Sequence, residues 1–468
     1  VSMVRRLKRV EQRRERRARD AAARAALARG PAAAAARRCE ARARGADAAG
    51  SLRALELTFN ASEPAEGYAL QVGHRRGRPF AAAAASTALG AAHALETFAQ
   101  LVERAADGAA IIPRGRVHVR DWPAKPHRGL MVDVARHFLP VPTLKRTVLA
   151  MAAAKLNVLH LHLSDSQSFP AALGGLGLEA GAFSKDETYA EADLRGLVAF
   201  AETAGVRVVP EIDVPAHALS WAKAYPALVV PCAFANGDGA SKSDAPALDP
   251  TDERTYALVA AVLDAAAAVF PDAVFHVGAD EVRAECWSDP RLEAWGAAHL
   301  GSGSPRALFG HFLARVARLV AARNRRVMVW QDALDFSSAE GLAALEEAGA
   351  TVEPWKCWGG SAARAADRAL ARNLTVVDAS CWYLDWPSPW RNYGEKALLR
   401  AEDPRVLGGE AALWTEETDF TSFGCRAWPR AAVVASLLWH APGSGRGLAK
   451  FAAYLRARLG VRAALPAD

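Results

Sequence analysis

Two adjacent carboxylic acids, Asp280 and Glu281, follow the strand-like run Ala273–Val277. Neighbouring residues of a strand point to opposite faces, so these carboxyls converge only where the strand ends and the chain turns. Close carboxyls resist double ionisation, and one of them then keeps a proton toward neutral pH, as a general acid must. A solvated surface pair is the alternative that this dipeptide alone leaves open. Other polar and aromatic residues gather just after similar runs: Asp133 and Arg136, His162 and Asp165, Asp213 and His217, Trp330 and Asp332, Trp355, Tyr383 and Asp385, Trp414 and Glu416.

His160 and His162 share one face of a strand, a spacing that suits a metal. No motif places a third ligand beside them, so no metal and no cofactor are expected. Six cysteines, at 39, 232, 286, 357, 381 and 425, form no CxxC pair and exclude a zinc ribbon or a redox motif. Their even number, with the sequons Asn60-Ala61-Ser62 and Asn373-Leu374-Thr375, points to the secretory pathway, lysosomal, vacuolar or extracellular.

Positioning so many groups at strand ends requires a repeated scaffold. Eight short apolar segments supply it: Gly129–Val134, Val158–Leu163, Val206–Ile212, Ala273–Val277, Arg326–Trp330, Thr351–Trp355, Thr375–Val377 and Val406–Gly409. Helical patterns such as Val141–Lys155, Ala190–Ala204, Arg254–Phe270 and Gly310–Arg323 lie between them. The alternation predicts an α/β fold of the closed (β/α)₈ TIM-barrel type, whose active sites collect at the C-terminal strand ends. No GxGxxG or GxxxxGK[ST] follows a strand, which removes the usual nucleotide cradle.

Ahead of the barrel, Leu52–Phe59 and Tyr68–Val72 read as strands and Ala84–Glu103 as a helix, a small α/β domain. Asp121-Trp122-Pro123-Ala124-Lys125-Pro126 ends it, because two close prolines disfavour both helix and central strand. The expected division is a basic Arg/Ala-rich leader over 1–49, a small domain over 50–122 and a catalytic barrel over 123–468. The length, 468 residues with 51% apolar and 23% charged side chains, supports a large core.

The net charge of +7 is misleading as a whole-chain figure. Residues 1–50 carry 15 basic against 5 acidic side chains, and residues 51–468 carry 43 against 46. The leader is a charged helix or solvated tail, and with no aromatic residue between its arginines it does not read as a nucleic-acid arm. The leader has no apolar signal-peptide core. The longest apolar stretch, Tyr256–Phe270, is interrupted by Asp264, so no membrane span is expected.

Four blocks carry a family resemblance: His127-Arg128-Gly129-Leu130-Met131-Val132-Asp133-Val134-Ala135-Arg136-His137-Phe138, Lys155-Leu156-Asn157-Val158-Leu159-His160-Leu161-His162-Leu163-Ser164-Asp165, His276-Val277-Gly278-Ala279-Asp280-Glu281 and Trp382-Tyr383-Leu384-Asp385. In this order they resemble glycoside hydrolase family 20, the β-N-acetylhexosaminidases. Two positions depart from the family pattern, Ala279 and Ala216, where glycine is usual; each would crowd the backbone if φ were positive there.

The resemblance implies substrate-assisted retention, in which the sugar's 2-acetamido oxygen attacks C1. Glu281 would protonate the leaving oxygen, Asp280 would receive the acetamido N–H, and Tyr383 would hold the acetamido oxygen. Asp165 and His217 match a pair that orients the acid. Trp330, Trp355 and Trp414 would wall the pocket, Arg136 and Glu416 would bind sugar hydroxyls, and Asp385 would lie near O6. Arg128, ahead of its strand, falls toward the opposite end of the barrel. Relatives also imply a Cys232–Cys286 disulfide. The implied partners are glycans ending in N-acetylhexosamine, not nucleic acid, and a homodimer is left open. Two rival readings stay open: a two-carboxylate glycosidase using Asp213 or Asp332 as nucleophile, and a catalytically silent sugar-binding barrel.

Overall fold

The computed structural model describes residues 52, 54–60, 62–113, 115–230, 246–387, 389–393, 403–439 and 447–464. The leader lies outside these residues, as does Cys232. The chain forms two compact units, Val1–Ala124 with Phe200–Val206, and Lys125–Ala199 with Arg207–Asp468.

In the first unit, strands β1 (Leu55–Phe59), β2 (Tyr68–Arg75), β3 (Arg78–Ala85) and β4 (Val117–Asp121) form a sheet of order β1-β3-β2-β4. Helix α1 spans Ala88–Leu101 and is capped by Thr87, whose side chain accepts the Gly90 N–H. Ala84 and Ala85, which the pattern assigned to the start of a helix, are instead the last residues of β3. Ala81, Ala83 and Ala85 alternate inward and are buried, and the ladder to β2 is antiparallel while that to β1 is parallel. Pairing on both sides outweighs alanine's helix propensity, and the helix begins only after the Thr87 cap.

The second unit is a closed parallel barrel of eight strands: β5 (His127–Asp133), β6 (Val158–His162), β7 (Arg207–Val214), β8 (Val274–Gly278), β9 (Arg326–Trp330), β10 (Thr351–Glu353), β11 (Thr375–Asp378) and β12 (Val406–Leu413). Each pairs with the next, and β12 closes on β5 from Gly408↔His127 to Leu413↔Val132. Among the intervening helices are α2 (Val141–Ala153), α3 (Glu191–Thr203), α4 (Glu253–Val269) and α5 (Pro305–Ala321). All eight strands and these helices fall where the periodicity placed them, within a few residues at each end.

The interior is layered by the two-residue repeat of its strands. A buried apolar cluster of Val158, Val209, Val274, Met328 and Val377 forms the plug. Two residues on along four of these strands stand His160, Glu211, His276 and Trp330, all buried. Another step reaches His162, Asp213 and Gly278. The same period that buries the plug therefore delivers chemistry to the mouth.

Candidate active site

Asp280 and Glu281 follow β8 through a left-handed turn: φ is 66° at Gly278, 71° at Ala279 and 49° at Glu281. This turn lets adjacent carboxyls converge. At Gly278 a Cβ would come within 1.7 Å of Asp213 Oδ1, so the position admits only glycine. Asp213 Oδ1 accepts the Ala279 N–H at 3.2 Å and ties the turn to β7. Ala279 thus adopts the left-handed conformation in which its Cβ is strained, whereas Ala216 does not.

His217, also left-handed at φ 55°, stands over the pair. Its Nδ1 is 3.2 Å from Asp165 Oδ1, and its Nε2 is 3.6 Å from Glu281 Oε2 and 3.8 Å from Asp280 Oδ2. Asp165 also receives His162 Nε2 at 2.8 Å and Arg136 Nη2 at 2.8 Å. Burial disfavours the Asp165 charge, but His217 and Arg136 outweigh it and hold the carboxyl well below its usual range. Burial likewise opposes charge on His217, which Asp165 and Asp213 nevertheless keep protonated well above its usual range.

The two carboxyls of the pair differ. Glu281, its side chain 57% exposed, is held below its usual range by the His217 N–H against partial burial. Burial pushes Asp280 up to about 7, with His217 pulling it back and Glu281 pushing it further. The raised member is therefore Asp280, not the residue to which the resemblance gives the acid's role, because Asp280 is the buried one. Its Oδ1 is buried and has no hydrogen-bond partner among the described residues.

Around this centre Arg136 is clamped between Asp133 (3.3 Å), Asp165 and Glu416 (3.3 Å), with its guanidinium 4.7 Å from the Trp414 ring centre. Tyr383 is buried, donates from Oη to the Trp355 carbonyl at 3.0 Å, and packs with Met131 and Ala412 against Trp355 and Trp414. Burial pushes its hydroxyl well above the usual range, with Glu353, Asp385, Asp280 and Glu281 adding to the effect. Burial raises Asp385 to about 6, with Glu416 adding to the push, and its Oδ1 is another buried acceptor without a hydrogen-bond partner among the described residues. Trp355 and Trp414 are half-buried. Trp330 is only 1% exposed and donates to Glu211 at 2.8 Å, which makes it a floor beneath Trp414 rather than an open wall.

The nucleophiles of the two-carboxylate rival are committed elsewhere. Asp213 is 1% exposed beneath the turn, and burial, with Asp280 beside it, pushes its carboxyl well up. Asp332 accepts the Trp355 indole N–H at 2.7 Å and the Lys356 ammonium at 2.9 Å. Arg128 is buried at the other end of β5, where it donates to the Lys125 and Lys155 carbonyls.

Sequence reasoning missed the groups beneath the site. His160 contacts Glu410 at 2.6 Å and Glu211 at 3.0 Å, and His162 contacts Glu211 at 2.6 Å. The partners that no motif supplied for the two histidines are thus present, with His276 and Glu353 close by. Burial lowers His276 and, with Glu410 and Glu211 beside it, raises Glu353 well above its usual range, so both are pushed toward their neutral forms. Burial opposes charge on His160, yet Glu410 and Glu211 hold it up to about 9; Glu211 and Glu410 are held well below their usual range by the histidines despite burial. Carboxylates at alternate positions of a fully buried strand, Glu211 and Asp213, were the available signal.

Cys286 is disulfide-bonded, while its expected partner Cys232 lies outside the described residues. A second disulfide, which the sequence did not disclose, joins Cys357 to Cys381.

A closed parallel barrel with a carboxyl pair, an Asp–His couple beside it and aromatic residues at its C-terminal mouth has the arrangement of a sugar-cleaving barrel enzyme. The family model described as "Glycosyl hydrolase family 20, catalytic domain" matches residues 126–442, and the chain belongs to that family. Beta-hexosaminidase subunit beta of Mus musculus is 34% identical over 374 residues, spanning 77% of this chain and 67% of that protein. Beta-hexosaminidase 3 of Arabidopsis thaliana is 31% identical over 401 residues, 82% of this chain and 69% of that protein. Among solved structures, the chitobiase of Flavobacterium johnsoniae is similar with a TM-score of 0.72 at 26% identity, covering 87% of this chain and 62% of that one. The chain therefore spans about three fifths of that relative's length.

Proposed function

We propose that the chain is an exo-acting β-N-acetylhexosaminidase, removing terminal GlcNAc or GalNAc from glycoconjugates or chito-oligosaccharides by substrate-assisted retention. The observation that carries this reading is Asp280 Oδ1, a buried acceptor without a hydrogen-bond partner among the described residues, beside an acid reachable from solvent. An acetamido N–H satisfies that acceptor. The Tyr383 hydroxyl, released from the Trp355 carbonyl, holds the acetamido oxygen for its attack on C1. Asp213 and Asp332 are engaged elsewhere, which favours a nucleophile carried by the substrate.

The proton inventory fits. In the free site, Asp280 holds a proton up to about pH 7 and Glu281 is ionised. A bound sugar excludes water from Glu281, which raises its pKa, and offers Asp280 an N–H donor, which lowers that of Asp280. The proton then resides on Glu281, which gives it to the glycosidic oxygen as the C1–O bond breaks and the acetamido oxygen bonds to C1. Ionised Asp280 balances the positive charge of the cyclised sugar. Glu281 next takes a proton from water, which opens the ring at C1 with overall retention.

Arg136 and Glu416 bind ring hydroxyls and Asp385 receives O6. A secretory, lysosomal, vacuolar or extracellular setting is supported by the Cys357–Cys381 disulfide and by exposed Asn373 in its sequon. Among the described residues no helix is long and apolar enough to cross a membrane. Release of nitrophenol from its N-acetyl-β-glucosaminide tests the activity; no release from either this substrate or the galactosaminide would overturn it.

A further inference from the structure

The two strand ends that carry Trp355 and Tyr383 are neighbours, β10 and β11. Each loop is anchored away from the other. The Trp355 and Lys356 N–H groups donate to Gln331 Oε1 at 3.0 and 2.9 Å, and the Trp355 indole donates to Asp332, all on the β9 side. Tyr383 bridges to Ala412 of β12, and the following Leu384 N–H donates to the Ala412 carbonyl at 2.8 Å. Across the seam between the loops run a backbone bond at its base, Ala379 N to the Pro354 carbonyl at 3.0 Å, and the Tyr383 Oη bond to the Trp355 carbonyl.

The second of these bonds opens when the Tyr383 hydroxyl turns to an acetamido oxygen. What still spans the seam at that level is the disulfide. It joins Cys357, two residues after Trp355, to Cys381, two residues before Tyr383, with Cα atoms 4.9 Å apart. Cys381 sits at φ 62°, a conformation that a residue other than glycine keeps only when its surroundings impose it. Trp358, the residue after Cys357, is 55% exposed and packs edge-on to Trp355 at 5.7 Å.

We propose that the Cys357–Cys381 disulfide is a positioning and specificity element: it fixes the spacing between the Trp355 wall and the Tyr383 hydroxyl, and so the width of the pocket for the 2-acyl group. The inference rests on the acetamido reading of the site. Each loop is held on its far side by its own anchor, the Ala379–Pro354 bond ties the seam only at its base, and with the Tyr383 bond released the disulfide is the tie at the level of the pocket. Without the tie the gap widens, the N-acetyl group loses its alignment, and a larger acyl group gains room.

The test compares the intact protein with the C357A/C381A double variant on nitrophenyl β-glucosaminides bearing N-acetyl or N-propanoyl groups. The expected result is a fall in kcat of about fivefold or more for the N-acetyl substrate with little change in KM, and a rise of at least fivefold in the N-propanoyl to N-acetyl ratio of kcat/KM. An unchanged ratio alongside a lowered melting temperature would make the bond merely structural and overturn the proposal. If the double variant does not fold, native protein treated with a phosphine reductant, with peptide mapping to show that the 357–381 bond has opened, supplies the same ratio, and an unchanged value there overturns the proposal equally. Absence of N-acetylhexosaminidase activity in the untreated protein would instead overturn the underlying reading, a result distinguishable from failure of the disulfide's role alone.

Discussion

The Nε2 of His217 stands 3.6 Å from Oε2 of Glu281. An imidazolium so placed, fixed from behind by Asp165, keeps Glu281 ionised until a substrate changes the balance. Glu281→Gln removes the transferable proton while keeping the shape of the side chain. Turnover of an unactivated chito-oligosaccharide should drop by about 10²–10⁴, while the product sugar binds as before by calorimetry. Near-normal turnover would remove Glu281 from the acid's role.

The shared proton sets a pH limit. Asp280 carries it below about pH 7 and loses it above, and with Glu281 held low nothing else in the pair retains a transferable proton. We expect kcat/KM to fall about tenfold per pH unit above that point, since kcat/KM reports the free enzyme. Asp165→Asn should move this limb, because it removes the anion that keeps His217 charged beside both carboxyls. A limb unmoved by that change would separate His217 from the titration.

Ala279 stores strain where glycine would not. At φ 71° its Cβ is disfavoured, and Ala279→Gly trades that strain against a more flexible unfolded chain. The net gain expected is up to about 1 kcal/mol, read as a higher urea midpoint with an unchanged slope. A loss of stability would show that the methyl group packs usefully at this turn.

How far the site was legible follows from which physical signals are local. The eight strands were readable because buried parallel strands are short apolar runs separated by helices. The mouth residues were readable because they break those runs at fixed places. Glu211 was not, because its partners His160, His162 and Trp330 come from two other strands and meet it only once the barrel closes. Ala84 and Ala85 were misread as helical for a similar reason: their conformation is set by the strands on either side, not by their own preference. The inequality of Asp280 and Glu281 also lay beyond reach, since depth of burial beneath His217 decides it. The Cys357–Cys381 pairing depends on the adjacency of β10 and β11, which cysteine spacing does not encode.

Asp385 adds a charge-dependent preference. Its carboxyl, raised by burial to about 6, is neutral below that pH and anionic above. If it faces O6, a 6-sulfated substrate meets a like charge only in the upper range. Discrimination against sulfate, as a ratio of kcat/KM values, should therefore widen from pH 5 to pH 7 by about tenfold or more. Asp385→Asn should flatten that trend. Equal rates for sulfated and neutral sugars across the range would take Asp385 away from O6.

The mechanism makes its strongest claim about the nucleophile. If the acetamido oxygen attacks C1, a β-glucoside differing only by a 2-hydroxyl keeps most contacts to Arg136, Glu416 and Trp414 yet has nothing to attack with. Its hydrolysis should be negligible while its binding weakens only modestly. A thiazoline resembling the cyclised sugar should inhibit far more tightly than the product, since it presents to Asp280 and Tyr383 the shape that the transition state approaches. Asp280→Asn leaves the developing positive charge without its counter-ion and should cost about 3–4 kcal/mol in kcat. An enzyme-borne nucleophile predicts the reverse on each count: the glucoside would turn over, the thiazoline would hold no advantage, and a fluorosugar would label a carboxylate. Asp213 lies beneath the turn with its Oδ1 on the Ala279 N–H, and Asp332 binds Trp355 and Lys356. A trapped ester on either would require those bonds to break first, and its detection by mass spectrometry would overturn the assignment of the substrate's own oxygen.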